Sequence, residues 1–282
     1  MTASAVNGLP APGAAALRAR ARRENFPVAL ALLSRAQRTH LMALYGFARL
    51  VDDVGDEAAG DRLALLGELE TDLGRVYAGQ EPLHPVLVCL APTVRAIRLP
   101  EAPFRQLIEA NRRDQRVNRY ATWAELRDYC ALSANPVGRL VLGVFGAATA
   151  DRFPASDAIC TALQLVEHCQ DVAEDLARGR LYLPAEDLAR FGCEERDLRA
   201  PSASPGVRAL LHFEVARARA LLDSGVPLVR TLAGRPRLAI AGFVAGGRAA
   251  ADAIERRGFD VLGGAPRARR RDLLRRLATA LR

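Results

Sequence analysis

The strongest constraint on this chain is a period. From about residue 15 onward, apolar residues recur at intervals of three and four. That spacing stacks side chains along one stripe of an α-helix, and a strand, with its period of two, does not produce it. Ala, Leu and Arg dominate and runs of β-branched residues are few, so intrinsic preference points the same way. The pattern breaks at 78–85, 98–103, 147–157, 192–206, 232–237 and 258–267, each rich in Gly, Pro, Asp or Ser, as helix connections are. No internal repeat or composition shift divides the chain. With 282 residues, 50% of them hydrophobic, it can close one large core. The expected fold is all-α, a single domain of roughly eight to twelve helices. Residues 1–14 read as a flexible start, 15–265 as the helical domain and 266–282 as a basic amphipathic helix. Within the domain, YCALSANPVGRLVL (129–142) sets Asn135-Pro136 and Gly138 inside a helical pattern. Either a turn between two helices or a kink that widens the space between them is expected there.

Charge and cysteine usage narrow the class. All 40 basic residues are Arg, and against 32 acids they leave a net charge of +8. Such an excess suits nucleic acid, anionic lipid or a phosphorylated substrate alike. No helix-turn-helix signature or interleaved aromatic platform is present, and acid-lined helices repel phosphate unless metal intervenes, so no nucleic-acid partner is expected. The five cysteines are scattered, with no CxxC pair and no zinc spacing, as in reduced cytosolic proteins. The N-terminus lacks the apolar core of a signal peptide, and no apolar run is long enough to span a bilayer. A cytoplasmic location is expected. The last segment, RARRRDLLRRLATALR, carries Leu273, Leu274, Leu277 and Leu281 on one face among arginines. Two readings are open for it: peripheral contact with the inner face of the membrane, or docking on its own core.

The chemistry is concentrated in two acidic strips. ALQLVEHCQDVAEDLARGRLYLP (162–184) reads as one helix. At 100° per residue, Gln164, Glu167, His168, Asp171, Glu174, Asp175 and Arg178 share a sector about 120° wide, with Leu165, Val166, Cys169, Val172, Ala173 and Leu176 opposite. HLMALYGFARLVDDVGDE (40–57) reads as another helix, with Tyr45, Arg49, Asp52 and Asp56 in a strip about 60° wide at the edge of its apolar side. Asp53 points away from that strip. In each strip two aspartates are spaced i and i+4, one turn apart, and repel. A single DxxxD is readily explained as a solvated face. Two of them facing each other across a cavity would bring four carboxylates together, an arrangement that needs cations. Mg²⁺ takes oxygen ligands, keeps waters and completes its shell with substrate phosphates, so a diphosphate is the matching ligand, with Arg49 on its oxygens. Metal and arginine would stabilise the departing diphosphate, and apolar walls would hold the hydrocarbon cation left behind.

These motifs resemble those of the squalene/phytoene synthases, over roughly residues 17 to 262. YGFARLVDDVGDE is similar to the family's first aspartate motif, with Tyr45, Arg49, Asp52 and Asp56 in place. LQLVEHCQDVAEDLARGRLYLP is similar to the second, with Gln164, Asp171, Asp175, Arg180 and Tyr182 in place. The resemblance implies an isoprenoid-synthase helical bundle around a central cavity. It implies Mg²⁺ on Asp52, Asp56, Asp171 and Asp175, diphosphate held by Arg49 and Arg180, and a pocket mouth shaped by Tyr182. Tyr45 and Gln164 would line the site, and the rings of Phe26 and Tyr129 would face a cation. ENFPVA (24–29), RYATWAELRDYCALSANPVGRLVL (119–142) and AIERRGFDVL (253–262) are similar to the hopanoid-pathway branch. For that branch the implied reaction converts presqualene diphosphate to hydroxysqualene by ionisation, rearrangement and water capture. The implied partners are this substrate or farnesyl diphosphate, and pathway enzymes. Condensation of two prenyl diphosphates to squalene or phytoene, and a non-catalytic assembly role, are the alternatives. The chain departs from the family pattern at Glu167, where Asn is usual, at His168 and Cys169, usually hydrophobic, and at Ser34, usually Pro.

Overall fold

The computed structural model describes residues 9–10 and 33–281. Phe26 and the ENFPVA segment lie outside the described residues. Helix α1 (Arg35–Asp56) starts at Ser34, whose hydroxyl accepts the Gln37 amide N–H while the Gln37 side chain accepts the Ser34 N–H, both at 3.2 Å. This reciprocal box satisfies two backbone donors that a helix start leaves open. The residue that departs from the family pattern is therefore the helix cap. Leu41, Leu44, Phe47, Leu50, Val51 and Val54 of α1 are buried, each side chain contributing about 1.5–3 kcal/mol of burial.

Helices α2 (Arg62–Tyr77), α3 (Pro85–Ile97) and α4 (Ala102–Asp114) pack around α1. The backbones of α1 and α4 come close at Gly55, where a Cβ would lie 2.1 Å from the Asn111 side-chain oxygen. Helices α5 (Trp123–Ser133) and α6 (Asn135–Val144) meet at Ala134, so the Asn135-Pro136 signal marks a break between two helices. Pro136 sits in the first turn of α6, where its missing N–H costs nothing. Gly138 lets α6 approach α7 (Phe153–Gln170), because a Cβ there would lie 2.5 Å from Cys160 Sγ and 2.6 Å from Ser156 Oγ.

The 162–184 stretch is not one helix. Helix α7 ends at Gln170, Asp171 bends out of helical geometry (φ −103°, ψ 14°), and α8 (Val172–Ala177) follows. The bend is shallow, since the Asp171 N–H reaches the Glu167 carbonyl at 2.9 Å and the Asp175 N–H reaches the Asp171 carbonyl at 2.8 Å. Asp171 and Asp175 thus remain one turn apart. Gly179, at φ +82°, then turns the chain out of the helix. The Leu181 N–H donates to the Asn118 carbonyl at 2.9 Å, within the isolated bridge of Arg119 and Leu181.

Helix α9 (Ala185–Arg190) and a short 3₁₀ turn (Glu195–Arg199) lead to α10 (Pro205–Gly225), which packs along α7. After α11 (Pro227–Arg230), α12 (Gly234–Arg256) closes the bundle with a buried run rich in Ala and Gly. The basic C-terminal helix, α13 (Arg270–Ala280), docks on α12. Arg276 grips Asp252 at 2.6 and 2.7 Å, Arg256 pairs with Asp272 at 2.8 Å, and Leu277 and Leu281 pack onto the core. The four leucines therefore do not form one free apolar face; Leu274, 61% exposed, points outward. Among the described residues no helix is long and apolar enough to cross a membrane.

Candidate active site

Two adjacent chambers share part of their walls. The apolar one, about 340 Å³, is walled by α1 (Leu41, Leu44, Tyr45, Ala48), α6 (Val137, Leu140, Val141), α7 (Ile159, Cys160, Leu163) and α12 (Ile240, Phe243). The polar one, about 290 Å³, is lined by Asp52 and Asp56 of α1, Asn111 and Asp114 of α4, Tyr129 of α5, and Gln164, Glu167 and His168 of α7. Asp171, Asp175, Arg178, Arg180 and Tyr182 complete it. Arg49, Asp52, Leu107 and Glu167 border both chambers. The two acidic strips thus line one chamber, with an apolar chamber beside it. Tyr45 stands on the apolar side, and Phe26 is outside the described residues.

Arginines hold the acids in place. Arg180 reaches Asp56 at 2.6 Å, and Arg49 lies 3.5 Å from Asp52 and 3.2 Å from Asp53. Asp53 is buried in that ion pair, away from the chamber. Glu174 pairs with Arg178 at 2.9 Å on an exposed edge, the solvated role its sector allows.

Enclosure sets the electrostatics. The side chain of Asp52 is 46% open, but to the interior of a chamber walled by protein. Loss of bulk water pushes its carboxyl up to about 6, with Asp56 adding to the push and Arg49 opposing it. Burial, then repulsion from Asp171, pushes Asp175 up to about 7, and burial with Glu174 raises Asp171. Burial also carries Asp114 up to about 6, although the Tyr129 hydroxyl donates to it at 2.6 Å and the Tyr182 hydroxyl at 3.1 Å. The chamber holds more buried carboxylate than its arginines offset.

The rings form a stack. His168 lies on Tyr182 with centroids 4.1 Å apart at 11°, and Tyr129 lies 5.5 Å from Tyr182 at 25°. Burial lowers His168 to about 3, so its imidazole is neutral. The Gln164 amide nitrogen lies 2.9 Å from His168 Nε2. His168 Nδ1 is a buried atom with no hydrogen-bond partner among the described residues.

Asn111 and Asp114 escaped the sequence reading, which treated α4 as an ordinary helix. Their signal is positional. Set by 100° steps, Asn111, Asp114 and Gln115 continue the stripe of Phe104, Leu107 and Ile108, which places polar residues on the buried face. Asn111 extends its amide toward Asp52 at 3.4 Å, and Gln115 donates to the Gly55 carbonyl at 3.0 Å.

An all-α bundle whose greasy chamber adjoins facing rows of aspartates and arginines is the architecture of a prenyl diphosphate-converting synthase. The chain belongs to the squalene/phytoene synthase family, whose model matches residues 19–276. It is 38% identical over 205 residues to the hydroxysqualene synthase of Zymomonas mobilis, covering 71% of this chain and 67% of that one. It is 35% identical over 211 residues to the phytoene synthase of Arthrospira platensis, covering 70% and 68%. Among solved structures, squalene synthase HpnC from Alicyclobacillus acidocaldarius superposes with a TM-score of 0.80 at 46% identity, over 86% of this chain and 93% of that one. A dehydrosqualene synthase at 23% identity shares the fold with a TM-score of 0.85, over 94% of each chain. The family acts on prenyl diphosphates.

Proposed function

We propose that this enzyme ionises presqualene diphosphate and lets water capture the rearranged cation, forming hydroxysqualene. The observation that carries the reading is the junction of the chambers. A substrate with a diphosphate head and a hydrocarbon body divides between the polar and apolar chambers, and its reacting carbon then falls between them, beside Arg49, Asp52 and Glu167. The match to hydroxysqualene synthases and the HpnC structure supports this branch.

Mg²⁺ fits the donor set. Asp52, Asp171 and Asp175 lie above the ordinary carboxylate range because they are enclosed together, and a divalent cation relieves that. Asp52 with Asp56, and Asp171 with Asp175, would hold it. Among the described residues no three His, Cys, Asp or Glu side chains form a ready metal site. One or two carboxylates per ion, completed by water and diphosphate oxygens, is the usual Mg²⁺ arrangement. When bound, Mg²⁺ neutralises charge on the departing diphosphate.

The protein's own side chains do the rest. Arg49 and Arg180 donate to diphosphate oxygens and orient them. The Tyr129 and Tyr182 hydroxyls are committed to Asp114, and their rings, stacked with His168, wall the polar chamber. Leu44, Leu140, Leu163 and Phe243 keep water from the hydrocarbon while it rearranges.

The similarity to phytoene synthases favours a second reading, head-to-head condensation of two prenyl diphosphates in the same chambers. Incubation of the purified enzyme with presqualene, farnesyl and geranylgeranyl diphosphates, with and without Mg²⁺ and with a nicotinamide hydride donor present, separates the two by product mass. Water capture is expected to give a C30 alcohol from presqualene diphosphate only with Mg²⁺. A C30 or C40 hydrocarbon from two prenyl diphosphates, without alcohol, would select the second reading.

A further inference from the structure

We propose that Ser133 and His168 hold, between Ser133 Oγ and His168 Nδ1, the water molecule that captures the cation; this inference rests on the water-capture reading above. Both atoms are buried and have no hydrogen-bond partner among the described residues, and both residues line the polar chamber. They come from different helices, Ser133 from the last turn of α5 and His168 from the last turn of α7. Tyr129, one turn before Ser133, brings its ring centroid within 6.4 Å of the His168 ring, so the two atoms lie in the same part of the chamber. Their positions are fixed from both sides. His168 is clamped on Tyr182, and Thr161 Oγ1 donates to Asn135 Oδ1 at 2.9 Å, which ties α7 to the start of α6 two residues after Ser133. A buried polar atom without a partner is costly, and one ligand that satisfies both atoms removes that cost.

Water is the ligand these atoms fit. Burial keeps the His168 ring neutral, and a serine hydroxyl is neutral too, so the pair brings no charge to a diphosphate, which Arg49 and Arg180 serve. A hydroxyl both donates and accepts. One water therefore satisfies Ser133 and His168 whichever imidazole nitrogen carries the proton, with one partner donating to the water and the other accepting from it. Either way the water keeps one lone pair and one O–H free. The location suits the chemistry. Ser133 ends α5 directly before the break, and Val137 and Gly138, in the first turn of α6, line the apolar chamber. The step balances without a redox partner. The C–O bond to diphosphate breaks with its electron pair going to diphosphate, and the free lone pair of the water forms the new C–O bond. The free O–H then gives its proton to the departed diphosphate while its electron pair stays on oxygen, so no side chain changes protonation.

The test has two arms. A high-resolution crystal structure of the wild type is expected to show an ordered water at hydrogen-bond distance from both Ser133 Oγ and His168 Nδ1, and a structure without one overturns the proposal. In the second arm, wild type, Ser133→Ala and His168→Phe are incubated with presqualene diphosphate and Mg²⁺ in isotopically labelled water, and labelled alcohol is quantified as a fraction of all diphosphate-free products. S133A removes the hydroxyl, and H168F keeps a ring on Tyr182 but loses the nitrogens. Each is expected to lower the labelled fraction about tenfold, with hydrocarbon formed by proton loss in its place. An unchanged fraction in either variant overturns the proposal. So does a variant that folds but releases no diphosphate, because that assigns the residue to ionisation. His168→Leu, read the same way, stands in if H168F does not fold. A wild type that holds the water but forms no alcohol sinks the water-capture reading itself, and with it the role given to this water, a result distinct from a missing water.

Discussion

Arg180 Nη1 lies 2.6 Å from Asp56 Oδ1, and this ion pair joins the second acidic segment to the first. The pair spans the polar chamber wall, with Arg180 15% and Asp56 31% exposed. A guanidinium has donors enough to hold a carboxylate and a diphosphate oxygen together. Arg180→Ala is expected to lower kcat/KM by about 100-fold, and Arg180→Lys by less, because a lysine keeps the charge but loses the fork. Steady-state kinetics check this, and an R180A enzyme with wild-type kcat/KM removes Arg180 from diphosphate binding.

Asp52→Asn and Asp171→Asn are expected to lower turnover by about 1000-fold or more while leaving the fold intact. Each removes a carboxylate that burial already disfavours, so neither variant should melt below wild type in metal-free buffer at neutral pH. Full activity in either one ends its assignment as a metal ligand.

Metal-free protein should lose stability as pH rises, through Asp175. Its folded value, about 7, lies above the ordinary carboxylate range. A raised carboxyl contributes fully to stability below its unfolded pKa and loses that contribution as pH climbs through the folded one. Between about pH 4 and about pH 7, wild-type Tm should fall relative to Asp175→Asn, and Mg²⁺ should reverse the difference. Thermal melts of both proteins with chelator and with Mg²⁺ test this; parallel pH profiles would contradict it.

The Ser34 cap makes a plain stability prediction. Ser34→Ala removes the acceptor for the Gln37 N–H and should cost about 1 kcal/mol, read as a lower denaturation midpoint. Ser34→Asp should keep most of it. An unchanged midpoint in S34A means that α1 starts without help from this hydroxyl.

Helix α4 shows where legibility in the sequence stopped. Its apolar stripe is plain, yet Asn111 and Asp114 gain their place at the chamber only because α4 packs on α1 at Gly55. The bend at Asp171 left no trace in the spacing, since a shallow kink preserves the i, i+4 relation on which the acidic strip was read. The C-terminal helix could be described from its own residues, but its partner Asp252 lies on α12, outside the segment.

The sequence by itself determined the helical stripes, the two turns of paired aspartates, and the arginine beside the first pair. These depend on residues three and four apart along one chain segment, where the helix alone sets the geometry. Only the tertiary structure decided that both aspartate rows line one chamber, that Arg180 reaches across to Asp56, and that Glu167 borders both the polar and the apolar chamber. Those relations link residues more than a hundred positions apart, and they exist only once the helices have packed.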